Sequence, residues 1–339
     1  MEPGQIQSSF FNQIKKQLPQ HLSLVDEVAD VLNVSADSAY RRIRGEKQIS
    51  FEEIQKLSVR FGISIDQFLH LKSDSFIFHG RITNSTDFTL ENWLQSVIQT
   101  VRMISSYKPN HLFYLAKELP FFYYYLCPEM GAFKSFFFMK SILHYEDWRH
   151  AKFSVNDDYY HQFHDVYKEI SNIFATVPST EIWSIENITS TLHQIEFYRV
   201  TGALKSDEDA LILCDKLEEI INHLERQAEQ GVKLHAGQEK NENGPSYKMF
   251  VNELIMGDNV QLVTLGNTPV TYINHSILNY MFTRDEDFNN YMKKTLDNLA
   301  QKSTPISEVN EKERLLFFNR MRTKIYNAKK QVTANPVYA

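Results

Sequence analysis

The sequence predicts a mainly α protein: a compact N-terminal bundle of about five small helices, then a helical domain ending in a small α+β portion with a short β-meander. Three observations predict it. From Ser9 to Leu71, short runs with apolar residues three or four apart alternate with turn signals. Between Thr89 and Gly231 longer stripes keep that spacing, and beyond Ser246 the period shortens toward two. With 42% hydrophobic and 23% charged residues and only 11 Gly and 10 Pro in 339 positions, collagen-like, low-complexity and largely disordered classes are excluded.

Charge bounds the partners. The chain carries 36 basic and 42 acidic side chains, a formal −6, so no chain-wide positive field holds it on a nucleic acid or an anionic membrane. Residues 1–72 hold nine of each sign, and the remaining 27 basic and 33 acidic residues carry the whole −6. Any nucleic-acid contact must therefore be local. Cys127 and Cys214 lie in apolar stretches that read as helical, which argues against a disulfide framework or zinc knuckle and for a reducing, cytoplasmic location. The first residues show no apolar run of signal-peptide length. The charge-free stretch from Asn259 to Thr283 is broken by Gly266, Asn267 and Pro269, so no membrane span is expected.

Within the bundle, the stretch from Leu22 to Leu69 is the most informative. Leu24 to Leu32 reads as a helix burying Val25, Val28, Ala29 and Leu32. Asn33 tolerates a left-handed turn, Val34 plugs the core, and Ser35 is an N-cap whose hydroxyl accepts from the Ser38 amide. A second helix therefore begins at Ala36, turns Ala39 and Ile43 inward, runs to Arg44 and stops at Gly45.

This pattern resembles the lambda-repressor-like helix-turn-helix family, also called the xenobiotic-response-element type. Val28-Ala29, Val34-Ser35, Arg44-Gly45, and Ile63-Ser64-Ile65-Asp66 with Leu69 fall where that family has them. The sequence departs at Asn33, where Gly is frequent, and at Arg42-Ile43, where an apolar residue followed by Glu is usual. The resemblance implies that Ala36 to Arg44 is a recognition helix lying in the major groove of double-stranded DNA. Ser35, Asp37, Ser38, Arg41, Arg42, Arg44 and Lys47 are then the candidate DNA-binding residues, with arginine suited to guanine edges and phosphates. A neutral module binds modestly, so a homodimer on half-sites about 34 Å apart is expected. The competing expectation is a protein-interaction module, such as an antitoxin or anti-regulator, using the same helices for protein contacts.

After residues 1–72, positions 73–88 read as a linker with one short strand, because Ser, Asn, Thr and Asp interleave with a single Phe-Ile-Phe run. Residues 89–234 read as a helical regulatory and dimerisation domain. Its helices are Thr89 to Tyr107, about Asp157 to Ala175, Glu181 to Gly202, and a long one from Ser206 to Gly231. Lys233 to Ser246 is polar and reads as a loop. Residues 247–330 form the α+β portion: β-prone runs at Tyr247 to Met256, Val260 to Leu265 and Val270 to Ile273, a helix capped by Thr283 with Glu286, and a last helix from about Ser307 to Lys329.

The second unusual feature is aromatic. Between Phe113 and Phe138 stand 11 of the 44 Phe, Tyr and Trp residues. Much of this is ordinary core, but Tyr123, Tyr124 and Tyr125 in a row cannot all face inward on one helix. With Phe133 and Phe137 they are the candidate ligand-binding residues for a small-molecule or peptide effector. His161 and His164 beside Asp157, Asp158 and Asp165 read as a solvated face. No Gly-rich phosphate loop, nucleophile elbow or HExxH occurs, so neither enzymatic activity, a metal nor a cofactor is expected. The function expected is a sequence-specific DNA-binding transcriptional regulator, dimeric and controlled by a ligand or partner.

Overall fold

The computed structural model describes residues 5–19, 22–63, 65–68, 76–80, 88–254, 257–276 and 278–338. They fall into two compact units, Met1–Ile77 and Phe78–Ala339. Ser64, Leu69 and most of the 73–88 linker lie outside the described residues.

The first unit contains α1 (Gln5–Gln17), α2 (Leu24–Leu32), α3 (Ala36–Ile43), α4 (Phe51–Phe61) and α5 (Ile65–Phe68). Its ends are set by local chemistry. Ser23 accepts from the Asp26 amide to open α2, and Asn33 closes it in the left-handed conformation, φ 54° and ψ 51°. The Ser35 hydroxyl then accepts from the Ser38 amide at 3.3 Å, as the spacing predicts. Ser50 and Glu53 form a reciprocal capping box on α4. Phe10, Phe11, Ile14, Val28, Leu32, Ala39, Leu57 and Ile63 make the buried core, with Val25, Ala29, Val34 and Ile43 packed against it.

The second unit runs β1 (His79–Gly80), α6 (Leu90–Ser106), β2 (Asn110–Leu115), a 3₁₀ turn Phe121–Leu126, and α7 (Pro128–Phe137). It continues with α8 (His164–Phe174), β3 (Ser179–Trp183), α9 (Thr189–Val200), α10 (Asp207–Gln230) and β4 (Tyr247–Val251). The rest is β5 (Val260–Leu265), β6 (Thr268–Asn274), β7 (Tyr280–Thr283), α11 (Glu286–Gln301), β8 (Thr304–Pro305) and α12 (Glu311–Ala334). Among the described residues, no helix is long and apolar enough to cross a membrane.

The sheet corrects the sequence reading. A β-meander is present as β5, β6 and β7, but it continues into eight strands among the described residues, ordered β1-β7-β6-β5-β2-β3-β4-β8. β2, β3 and β4 pair in parallel, with Phe113 beside Thr180 and Glu181 beside Met249, and the other pairs are antiparallel. Residues 110–115 and 179–183, taken as parts of a helical domain, are thus central strands. They are covered on both faces, so their sequences lack the alternation that betrays a half-exposed strand. Phe113, Ile182 and Leu262 face Leu296 and Leu299 of α11. A larger core on the other side gathers residues from α6, α7, α8, α9, α10 and α12.

Two local readings also shift. Asp285, not Thr283, caps α11, its carboxylate accepting from the Phe288 amide at 2.8 Å, while Thr283 is the buried end of β7. Tyr123, Tyr124 and Tyr125 are all at most 4% exposed, against the expectation that they could not all face inward. They sit on a 3₁₀ turn, which sends successive side chains about 120° apart, and Phe122 to Tyr125 are all buried there.

Candidate nucleic-acid interface

The turn between α2 and α3 fixes which side chains leave the surface. Ala39 is fully buried, so Asp37, Tyr40, Arg41 and Arg44, spaced three, four and seven positions from the first, share the opposite, exposed face of α3. Tyr40 is 48% exposed, and the Arg44 guanidinium lies 5.6 Å over its ring. Arg44 also approaches Glu46 at 3.4 Å. Lys47 is exposed on the loop that follows. The accessible charges are therefore Arg41, Arg44 and Lys47 against Asp37 and Glu46.

Arg42 does not belong to this face. It is 5% exposed, and its guanidinium reaches Glu53 on α4 at 2.7 Å while Nη1 donates to the Ser38 hydroxyl at 2.6 Å and the Ser38 carbonyl at 3.1 Å. The bond from Arg42 holds the Glu53 carboxyl below the usual carboxylate range, against the opposing effect of burial. Arg42 thus occupies the core-facing place that an apolar residue takes in the resembling family, and Glu53 on the next helix balances its charge. Ser38 is drawn inward with it, and Ser35 spends its hydroxyl on the helix cap.

Two contributors were missed in the sequence. Tyr40 was visible as an aromatic ring within the polar stripe of α3. Gln7 was not: from α1 its amide donates to the carbonyls of Arg42 and Lys47, both at 2.7 Å, and accepts from the Ile49 amide at 3.2 Å. These bonds span 35 to 42 residues and pin the loop that carries Lys47. Losing the Arg42 anchor should loosen the same frame. Arg42→Ala is expected to lower the stability of the first unit by about 1–3 kcal/mol, read as a lower thermal midpoint of residues 1–77, because it leaves Glu53 and Ser38 without their partner. An unchanged midpoint would contradict the packing role.

The candidate ligand residues separate. Tyr124 and Phe137 line a cavity of about 50 Å³. Tyr123 donates to the buried Glu181 carboxylate, Tyr125 stacks on Tyr167 at 5.0 Å, and Phe133 packs edge-on against Phe153 and Tyr198. These three are core.

No curated protein and no solved structure matches the chain. Residues 15–68 match the family model described as helix-turn-helix, which spans α2, α3 and α4, so the first unit carries a helix-turn-helix domain.

Proposed function

We propose that the chain is a sequence-specific transcriptional regulator that lays α3 in the major groove of double-stranded DNA. One observation carries the reading: Asp37, Tyr40, Arg41 and Arg44 form a single exposed stripe on a helix that caps and core contacts hold rigid, inside a matched helix-turn-helix domain. Arg41 has the donor fork for a guanine edge, and Asp37 accepts from a cytosine amino group. Arg44 and Lys47 face phosphates. Because the module is close to neutral, two copies in a homodimer supply the affinity that one lacks. The larger unit provides the effector response, and the protein works in the cytoplasm.

Arg41→Ala tests this directly. Fluorescence anisotropy on duplexes selected from a random library should show a loss of about 1–3 kcal/mol, concentrated on the preferred sequence. Lys47→Ala should weaken all duplexes alike and reduce the salt slope by about one. Failure of the full chain to bind any selected duplex at low salt, or identical binding by Arg41→Ala, would remove the reading.

A further inference from the structure

The cavity beside Tyr124 has an electrostatic composition that packing alone does not require. Lys134 on α7 is 3% exposed, yet its ammonium pairs with no carboxylate among the described residues. Two of its three N–H groups are used, on Gln194 Oε1 at 2.6 Å and Thr191 Oγ1 at 3.0 Å, and the cation lies 4.2 Å from the Tyr124 ring centre. Burial pushes it down to about 7, with the Glu118 charge opposing.

Glu118 lines the same cavity, half-buried, and its carboxylate has no hydrogen-bond or ion-pair partner among the described residues. Asn274 Oδ1, also at this lining, is buried without a donor. One cavity thus holds a spare cationic donor, a spare anion and a spare neutral acceptor. The two buried ones, the Lys134 ammonium and Asn274 Oδ1, are costly in that condition unless something completes them.

We propose that this cavity binds the zwitterionic head of a small free amino acid, its carboxylate on Lys134 and its ammonium on Glu118 and Asn274. A carboxylate alone would face Glu118 and leave Asn274 unmet. An amine alone would face Lys134. The zwitterion satisfies all three, and Trp93, Tyr124 and Phe137 supply apolar lining beside them. The cavity is small, about 50 Å³, which favours the smallest amino acids, glycine before alanine, and leaves no room for a side chain the size of tryptophan's. The proposal rests on the regulator reading only in making this amino acid the effector; binding itself is independent of DNA.

Calorimetric titration of the full chain near neutral pH tests it, with glycine, L-alanine, acetate, methylammonium and L-tryptophan as probes. Glycine or alanine should bind, and acetate and methylammonium should each be weaker by about tenfold or more, as should the amino acid on Glu118→Gln or Lys134→Met. Glu118 is partly exposed, so its variant keeps the test valid if Lys134→Met fails to fold. No binding of any amino acid, acetate binding as tightly as alanine, or unchanged binding by Glu118→Gln would overturn the proposal. DNA binding is measured on the same protein. Amino-acid binding retained with no DNA binding supports the cavity and defeats the regulator reading; DNA binding retained with no amino-acid binding does the reverse.

Discussion

Glu181→Gln is expected to cost the second unit about 3–5 kcal/mol, the range for breaking a buried ion pair by removing one partner. Glu181 is fully buried on β3, and Lys233 is 1% exposed. Oε1 accepts from Tyr123 at 2.7 Å, Ser179 at 2.9 Å and Lys233 at 3.1 Å, while Oε2 accepts from Trp183 at 2.9 Å and Tyr247 at 3.4 Å. A carboxylate is acceptor-only, which suits five donors. Glutamine presents one oxygen and one NH₂, so in either orientation an N–H meets donors. Lys233 also loses its counter-charge, and burial already pushes its ammonium below the ordinary lysine range, with Glu181 as the opposing influence. A stability of about 5–15 kcal/mol leaves little after such a loss. Adding Lys233→Met should restore part of it, with a coupling of about 0.5–3 kcal/mol. Guanidinium denaturation followed by tryptophan fluorescence reads the second unit alone, because Trp93, Trp148 and Trp183 all lie there. A cost below about 1 kcal/mol would show that solvent or relaxation replaces the network.

That network also shows where the sequence stops being legible. The first unit could be read because its decisive bonds are short in sequence: Ser23 to Asp26, Ser35 to Ser38, and the left-handed Asn33 all act within a few residues. The Arg42–Glu53 bridge spans 11 residues and two helices, so Arg42 looked like one more surface cation. On β3, a glutamate in Ser-Thr-Glu-Ile-Trp argues for solvent, hence for a helix start. Its local donors, Ser179 and Trp183, stand two residues either side on the same strand face, a period-two clue that was available. Tyr123, Lys233 and Tyr247 converge only through the fold. The aromatic segment held a similar clue: Lys134, flanked by Phe133, Phe136 and Phe137, had no polar stripe to belong to. Residue type could flag the oddity, but the partners Gln194 and Thr191 lie about 60 residues away.

Lys134→Met should change how stability depends on pH more than it changes stability at any one pH. In the unfolded chain this lysine titrates near 10.5, whereas burial lowers it to about 7 in the fold. Below about 7 both states carry the proton, and the folded state bears the whole cost of a buried, unpaired ammonium. Between about 7 and 10.5 only the unfolded state is protonated, so the wild-type fold gains about 1.4 kcal/mol per pH unit, on the order of 5 kcal/mol over the window. Methionine removes that slope, at a cost of about 1–3 kcal/mol for leaving Gln194 Oε1 and Thr191 Oγ1 without their donor. The variant should therefore be the more stable protein near pH 6, and its advantage should shrink above about 7 and be gone by about pH 9. The groups that face the ammonium leave this sign intact. Glu118 favours the charged form and is already included in the shift, Tyr124 ionises only above the window, and Gln194 and Thr191 are neutral. Cys127 and Cys214, both pushed up to about 12 by burial, oppose stability as pH rises, but they do so equally in both proteins and cancel in the difference. Denaturation midpoints of the two proteins from pH 6 to 9 should therefore converge. Parallel curves would mean that Lys134 keeps its proton throughout, held by a charge that its surroundings do not show.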